Sequence, residues 1–285
     1  MYEDPRSVLK RYQIFPKKEW GQNFLVNPSK AERIVELLEI QAGDRVLELG
    51  AGTGALTQIV RHKHPDADLF ALERDRDMIA ILEQEYNDSH VRVLAADAAT
   101  YPITELPDGG PLRILGNLPY QISTPILFHV LEQRHLWTRA ILMLQREVAQ
   151  RLAAQLNQGK DYSILSVRFQ MFCDVRIVLH VPARCFHPKP RVESAAICIE
   201  PLPQPRFPIE DPDLFARVVK AAFANRRKTL LNTLHHAFPH KPRIELQKHL
   251  HTQEIDPQRR GESLSLKDFA QLTQSLQSFL QSKDA

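Results

Sequence analysis

Cysteine is scarce. Cys173, Cys185 and Cys198 are odd in number and far apart. Reduced, partly buried thiols fit them better than a disulfide framework or a zinc site. No stretch approaches the run of about 18 apolar residues that marks a membrane span. Residues 1–18 are charged and lack the apolar centre of a signal peptide. The expected location is the compartment of synthesis, the cytoplasm. Internal repeats are absent, and so is any arrangement of nucleophile, base and acid that would suggest a catalytic triad. His236 and His240 have the spacing of a metal pair, but Pro239 breaks any helix between them, and no metal is expected.

What is present is the composition of a soluble globular protein, 43% hydrophobic and 25% charged over 285 residues. That length has room for one large domain and one small one. The net charge of +3 is unevenly placed: residues 182–285 carry 16 Lys+Arg against 11 Asp+Glu, a balance of +5 that leaves −2 for the rest. A basic end on a near-neutral body points to a polyanionic partner, with a solvated surface as the equally weighted alternative.

Three apolar strands carry the chemistry. Arg45-Val46-Leu47-Glu48-Leu49 reads as a buried strand, followed by Gly50-Ala51-Gly52-Thr53-Gly54 and a helical pattern through Leu56, Ile59 and Val60. Strand, glycine turn and helix form the context of a nucleotide-binding turn. Its spacing differs from that of dinucleotide sites and suits a ligand without a pyrophosphate. A second strand, residues 68–72, ends in Glu73, placed 21 positions after Gly52. A carboxylate there accepts hydrogen bonds from ribose hydroxyls; its other reading is an acid favoured by a helix dipole. A third strand, residues 91–94, leads to Asp97, suited to the exocyclic amine of an adenine or to capping its own loop. Together these predict an adenosine pocket at one edge of a parallel sheet.

A fourth strand runs through Arg113-Ile114-Leu115 into the turn Gly116-Asn117-Leu118-Pro119-Tyr120. Asn117 brings an amide, Pro119 stiffens the backbone and Tyr120 offers a flat face. The set suits a planar substrate with an amino group, such as a nucleobase, and loops beyond the carboxyl ends of strands are where ligands bind. An ordinary strand-to-helix turn is the alternative. Upstream, residues 5–26 mix Lys17, Lys18 and other cations with Trp20, a combination that tracks phosphates and stacks on bases or packs as a tail on the body. Asn27-Pro28 signals a helix start.

The order of Gln22-Asn23-Phe24-Leu25, Glu48 to Gly54, Glu73, Asp97 and Asn117 to Tyr120 resembles the KsgA-type ribosomal RNA adenine dimethyltransferases. The likeness continues in Phe186 to Ser194, Asn225 to Leu230 and Ile255 to Glu262. The resemblance implies an α/β, Rossmann-like S-adenosylmethionine-dependent methyltransferase fold with a small all-helical C-terminal domain. The implied activity is transfer of two methyl groups to N6 of each of two adjacent adenosines in the 3′-terminal hairpin loop of 16S rRNA. It acts in the small ribosomal subunit or its precursor, with S-adenosyl-L-methionine as donor and a monomer as the working form. By position, Asn23, Leu25, Gly50, Gly52, Glu73, Asp97 and Asn117 would hold the donor. Asn117, Leu118, Pro119, Tyr120 and Phe186 would form the catalytic group, with Tyr120 and Phe186 sandwiching the target ring; the other reading of Phe186 is a core aromatic. Ala96 is a mild departure, since relatives often place glycine before the aspartate. Two other functions compete: a large-subunit rRNA adenine methyltransferase of the resistance type, and a non-catalytic nucleic-acid-binding relative.

The prolines at 201, 203, 205 and 208 mark a linker. The expected domains are residues 1–203, with 1–26 as a basic arm, and a helical domain over 204–285. In the latter, Arg226, Arg227 and Lys228 form a cluster suited to phosphates or to a solvated helix end. Residues 163–172 are an apolar run assigned to helix by length, and Ser265 to Asp268 resembles a capping box.

Overall fold

The computed structural model describes residues 2–86 and 90–281. They form two compact units. The first holds the chain up to Ala149 together with Val175–Pro201, and the second holds Gln150–Asp174 and the chain from Leu202.

In chain order the elements of the first part are α1 (Pro5–Arg11), β1 (Phe24–Leu25), α2 (Pro28–Leu37), β2 (Arg45–Leu49), α3 (Thr57–Lys63), β3 (Asp68–Glu73), α4 (Arg76–Glu85) and β4 (Val91–Ala95). There follow β5 (Leu112–Asn117), α5 (Ser123–Glu132), β6 (Arg139–Gln145), α6 (Arg146–Ala153), α7 (Ile164–Phe172), β7 (Cys173–Val181), β8 (Phe186–His187) and β9 (Ser194–Pro201). The remaining helices are α8 (Pro212–Phe223), α9 (Leu230–Ala237), α10 (Arg243–Thr252) and α11 (Leu266–Gln281).

Seven strands make one sheet in the order β4-β3-β2-β5-β6-β9-β7, and β1 pairs with β8 in a separate ribbon. The run from β4 to β6 is parallel, and β9 lies antiparallel to β6. Parallel strands covered on both faces must be apolar almost throughout. Val46, Leu47, Leu69, Ala71, Ile114 and Leu115 are accordingly fully buried. Helix α2 covers the sheet through Ala31, Ile34, Val35 and Leu38. Its start is fixed as the sequence indicates, with Asn27 Oδ1 accepting from the Lys30 amide at 2.9 Å. The three cysteines are buried and form no disulfide.

The strand order reverses between β2 and β5: β3 and β4 extend one way from β2, and β5 and β6 the other. In open α/β sheets this switch point opens a crevice at the carboxyl ends of the strands. The turn expected at Gly116 starts later than the sequence suggested. Gly116 and Asn117 are still strand residues, in register with Leu142 and Met143 of β6. Asn117 is thus set by a sheet ladder rather than by a loop.

The second unit differs from the expected division after residue 203. Residues 150–174 belong with the C-terminal helices, and the proline segment marks only one of the places where the chain passes between units. The cause is aromatic packing that no linker composition reveals. Phe172 meets Phe215 edge-on at 5.7 Å, Tyr162 meets Phe223 at 6.1 Å, and Phe223 stacks on Phe269 at 5.9 Å. The Tyr162 hydroxyl donates to the Leu264 carbonyl at 2.9 Å. Residues 164–172 are helical as expected, and nearly all are buried. The capping box at α11 is complete: the Ser265 amide donates to Asp268 Oδ2 at 3.0 Å and the Asp268 amide donates to Ser265 Oγ at 3.1 Å. Among the described residues no helix is long and apolar enough to cross a membrane.

Candidate active site

The first unit contains a cleft at the switch point, enclosing about 920 Å³ of empty space, part of it open to solvent. Its walls come from the β2–α3 turn, the ends of β3 and β5, the loops after β4 and β5, and the segment Trp20–Leu25.

The β2–α3 turn lies along one wall. Gly50 and Gly52 both have positive φ, +70° and +58°, which L side chains rarely adopt. A Cβ on Gly50 would stand 3.8 Å from Pro119 Cδ and 4.0 Å from the Asn117 carbonyl, so a side chain there would enter the gap between the two turns. On Gly52 a Cβ would press on the Phe24 ring at 3.2 Å. The Gly52 amide donates to Glu73 Oε2 at 2.9 Å, and Glu73 Oε1 accepts from the Arg74 and Asp75 amides at 2.8 and 2.9 Å. The Glu73 carboxylate is thereby fixed across the ends of β2 and β3.

Asp97 lies on the cleft wall, with Oδ1 accepting from the Ala99 amide at 2.8 Å and Oδ2 paired with Arg74 at 3.0 Å. The Arg74 guanidinium sits over the Trp20 ring, 4.7 Å from its centroid. Neither Arg74 nor Trp20 stood out in the sequence as a cleft residue.

Asn117 faces the cleft from the end of β5. Its Nδ2 donates to the Asn23 carbonyl at 2.9 Å, which orients the amide and leaves Oδ1 as its acceptor. Asn23 in turn donates from its own Nδ2 to the Gly21 carbonyl at 2.8 Å. Beyond Asn117, the Leu118 amide donates to the Met143 carbonyl at 3.1 Å. Pro119 and the half-buried Tyr120 complete the wall. The Tyr120 hydroxyl shares a 2.6 Å hydrogen bond with Ser194 Oγ. Burial pushes the Tyr120 phenol up, and the Ser194 hydrogen bond partly offsets this.

Two further cleft residues escaped sequence reasoning. Glu48 is 2% exposed and accepts from Thr57 Oγ1 at 2.6 Å. Burial, with Glu73 nearby, pushes its carboxyl up to about 8, so it is mostly protonated at neutral pH. The signal was available: a carboxylate inside an otherwise apolar strand is a candidate functional group. Thr53 also lines the cleft, and its buried Oγ1 has no hydrogen-bond partner. A buried hydroxyl without a partner is costly unless a ligand supplies one.

Phe186 is not among the residues lining the cleft. It is 4% exposed, pairs with Leu25 in the β1–β8 ribbon, and packs in the core with Ile34 and Val181. Leu25 is also in that core and reaches the cleft wall.

The basic arm is engaged with the first unit. Lys17 Nζ donates to the fully buried Asp75 at 2.6 Å, and lies 2.7 Å from Asp77. Gln22 Nε2 donates to the other Asp75 oxygen at 2.6 Å. The Lys17 charge is spent on carboxylates, while Phe15 is 84% exposed. The Lys18 side chain lies outside the described residues. In the second unit, Arg226 donates to the Lys160 and Tyr162 carbonyls at 2.5 and 2.8 Å, so it braces the helical unit. Arg227 and Lys228 are exposed. Helix α9 ends at Ala237, separating His236 from His240. Among the described residues no group of three His, Cys, Asp or Glu is placed to hold a metal.

The sequence model of the family described as ribosomal RNA adenine dimethylase matches residues 16–278. The ribosomal RNA small subunit methyltransferase A of Myxococcus xanthus is 41% identical over 274 residues, covering 96% of this chain and 95% of its own. That of Syntrophotalea carbinolica is 45% identical over 262 residues, covering 92% and 97%. Among solved structures, a dimethyladenosine transferase from Plasmodium falciparum superposes with a TM-score of 0.71 at 26% identity, covering 88% of this chain and 96% of that one. The 23S rRNA methyltransferase ErmE superposes at 0.62 and 22% identity, covering 89% and 99%, a likeness of fold.

Proposed function

Because the chain belongs to the ribosomal RNA adenine dimethylase family, we propose that it methylates N6 of two adjacent adenosines, twice each, in the 3′-terminal hairpin loop of 16S rRNA. The substrate is the small ribosomal subunit or its precursor, and the donor is S-adenosyl-L-methionine. One observation carries the reading beyond family membership. Asn117, its amide oriented by the Asn23 carbonyl, shares a cleft with the positive-φ glycine turn and the Glu73 carboxylate.

The residues fit the donor. The turn at Gly50 and Gly52 lets a ligand approach the backbone, and Glu73 is placed for ribose hydroxyls. Asp97 suits an adenine amine, and the Thr53 hydroxyl has no hydrogen-bond partner within the protein. Asn23 and Leu25 wall the same cleft. When bound, S-adenosylmethionine supplies an electrophilic methyl group.

The protein's task is to make adenine N6 attack it. The N6 lone pair is conjugated into the ring and nucleophilic only when localised. Asn117 Oδ1 and the Leu118 carbonyl are the acceptors for the two amino protons, favouring the state in which positive charge grows on nitrogen. Pro119 holds that turn, and Tyr120 is the stacking face for the target ring. Each such stack contributes roughly 1–3 kcal/mol. Orientation supplies much of the acceleration, up to about 7–11 kcal/mol in favourable cases. No strong base is needed, because the amino proton becomes acidic once nitrogen is alkylated. The target base must leave its stack to enter, and a loop adenosine costs less to extrude than a paired one. Arg227 and Lys228, both exposed on the helical unit, are the candidates of that cluster for phosphates; Arg226 and Lys17 are committed within the protein.

The test is methyl transfer from labelled donor to small subunits that lack the modification, with mass spectrometry locating the modified nucleoside. Dimethyladenosine at the two loop positions is expected. Label only on large-subunit RNA, or donor binding with no transfer, would overturn the proposal.

A further inference from the structure

Tyr120 is held at both ends. Its backbone follows the β5 terminus, and its carbonyl accepts from Ser123 Oγ at 3.2 Å. At the far end of the ring, the hydroxyl meets Ser194 Oγ at 2.6 Å. Ser194 is the first residue of β9, in register with Gln145 at the end of β6, and has no exposed surface. A fully buried serine cannot touch the RNA. Its hydroxyl can act on the reaction only through what it bonds, and its partner is the tyrosine that lines the cleft.

From this geometry we infer that Ser194 is a positioning residue that fixes the plane of the Tyr120 ring against the target base. The inference rests on the proposed methyl transfer to adenosine. A phenol anchored at one end swings about its Cα–Cβ bond, whereas the hydroxyl contact to a sheet residue removes that freedom. The ring then presents one face to the cleft before substrate arrives. Pre-organisation of this kind lowers the cost of orienting the base. The link also spans three structural elements: the loop after β5 is tied past β6 to β9. The positions of Asn117 and Tyr120 are therefore set by different supports, a ladder pairing for one and a hydroxyl contact for the other.

The experiment compares wild type, Ser194→Ala, Tyr120→Phe and the double variant, using the full chain, labelled S-adenosylmethionine and unmodified small subunits. Tyr120→Phe keeps the ring and so protects the test against a serine variant that fails to fold. Each single change should lower kcat about tenfold, the size expected for one lost hydrogen bond, with the KM for the donor unchanged. The double variant should be no slower than Tyr120→Phe alone, since both remove the same contact. Losses that multiply, or a Tyr120→Phe enzyme indistinguishable from wild type, would overturn the inference. If wild type itself transfers nothing to small subunits, the failure lies with the proposed function instead.

Discussion

Replacing Glu48 by glutamine should stabilise the first unit, and by more as the pH rises. The carboxyl is buried and its pKa is raised from 4.5 to about 8. In the unfolded chain it ionises near 4.5, so between these values the folded protein keeps a proton that the unfolded one releases. The sign follows: this group's contribution to stability is fully present below 4.5 and is lost as pH rises towards 8. The slope is roughly 1.4 kcal/mol per pH unit. At pH 7 the cost amounts to about 3 kcal/mol as an upper limit, since burial of a charge is relieved by local relaxation. Glutamine keeps the shape and can accept from Thr57 Oγ1 as Glu48 does at 2.6 Å, but carries no ionisation. Thermal unfolding of both proteins from pH 5.5 to 8.5 isolates the effect, because other titrating groups are common to both. The gap in Tm should widen with pH by on the order of 10 °C, at about 2–4 °C per kcal/mol, and level off above pH 8. A gap that stays constant or narrows would show that Glu48 is already ionised in the fold.

Asn117→Ala should leave donor affinity within a few-fold by calorimetry and reduce single-turnover methylation about 10²–10³-fold; an unchanged rate would remove its proposed role. Glu73→Ala should weaken donor binding about tenfold or more, since it deletes a charged acceptor and frees the Gly52 amide, as measured by titration with S-adenosylmethionine. Arg226→Ala should lower the unfolding free energy of the helical unit by about 1 kcal/mol through the carbonyls it braces. Arg227→Ala should leave stability unchanged and weaken binding to small subunits, more so at low salt.

Much of the α/β unit was legible in the sequence. The strand at 45–49 and the one ending at Glu73 stand out because a parallel strand buried on both faces leaves an uninterrupted apolar run, and glycine turns punctuate them. Asn117 and Glu73 were identifiable for the same reason: each follows such a run. What escaped depends on contacts distant in sequence. Phe186 carries no mark that distinguishes a core aromatic from a stacking one, and its pairing with Leu25 joins residues far apart in the chain. Lys17 looks like a cation for phosphate until Asp75, far along the chain, is seen to hold it. The assignment of residues 150–174 to the helical unit rests on the rings of Tyr162 and Phe172 meeting those of Phe223 and Phe215, which no local pattern encodes.

The short ribbon between β1 and β8 has a consequence for synthesis. It joins Phe24 to His187, so a wall of the cleft that begins at residue 20 waits for a strand made more than 160 residues later. A nascent chain carrying only the glycine turn and Glu73 has one wall of the cleft and no strand to hold the segment opposite. The cleft is therefore completed only late in synthesis, once the emerging chain has passed His187.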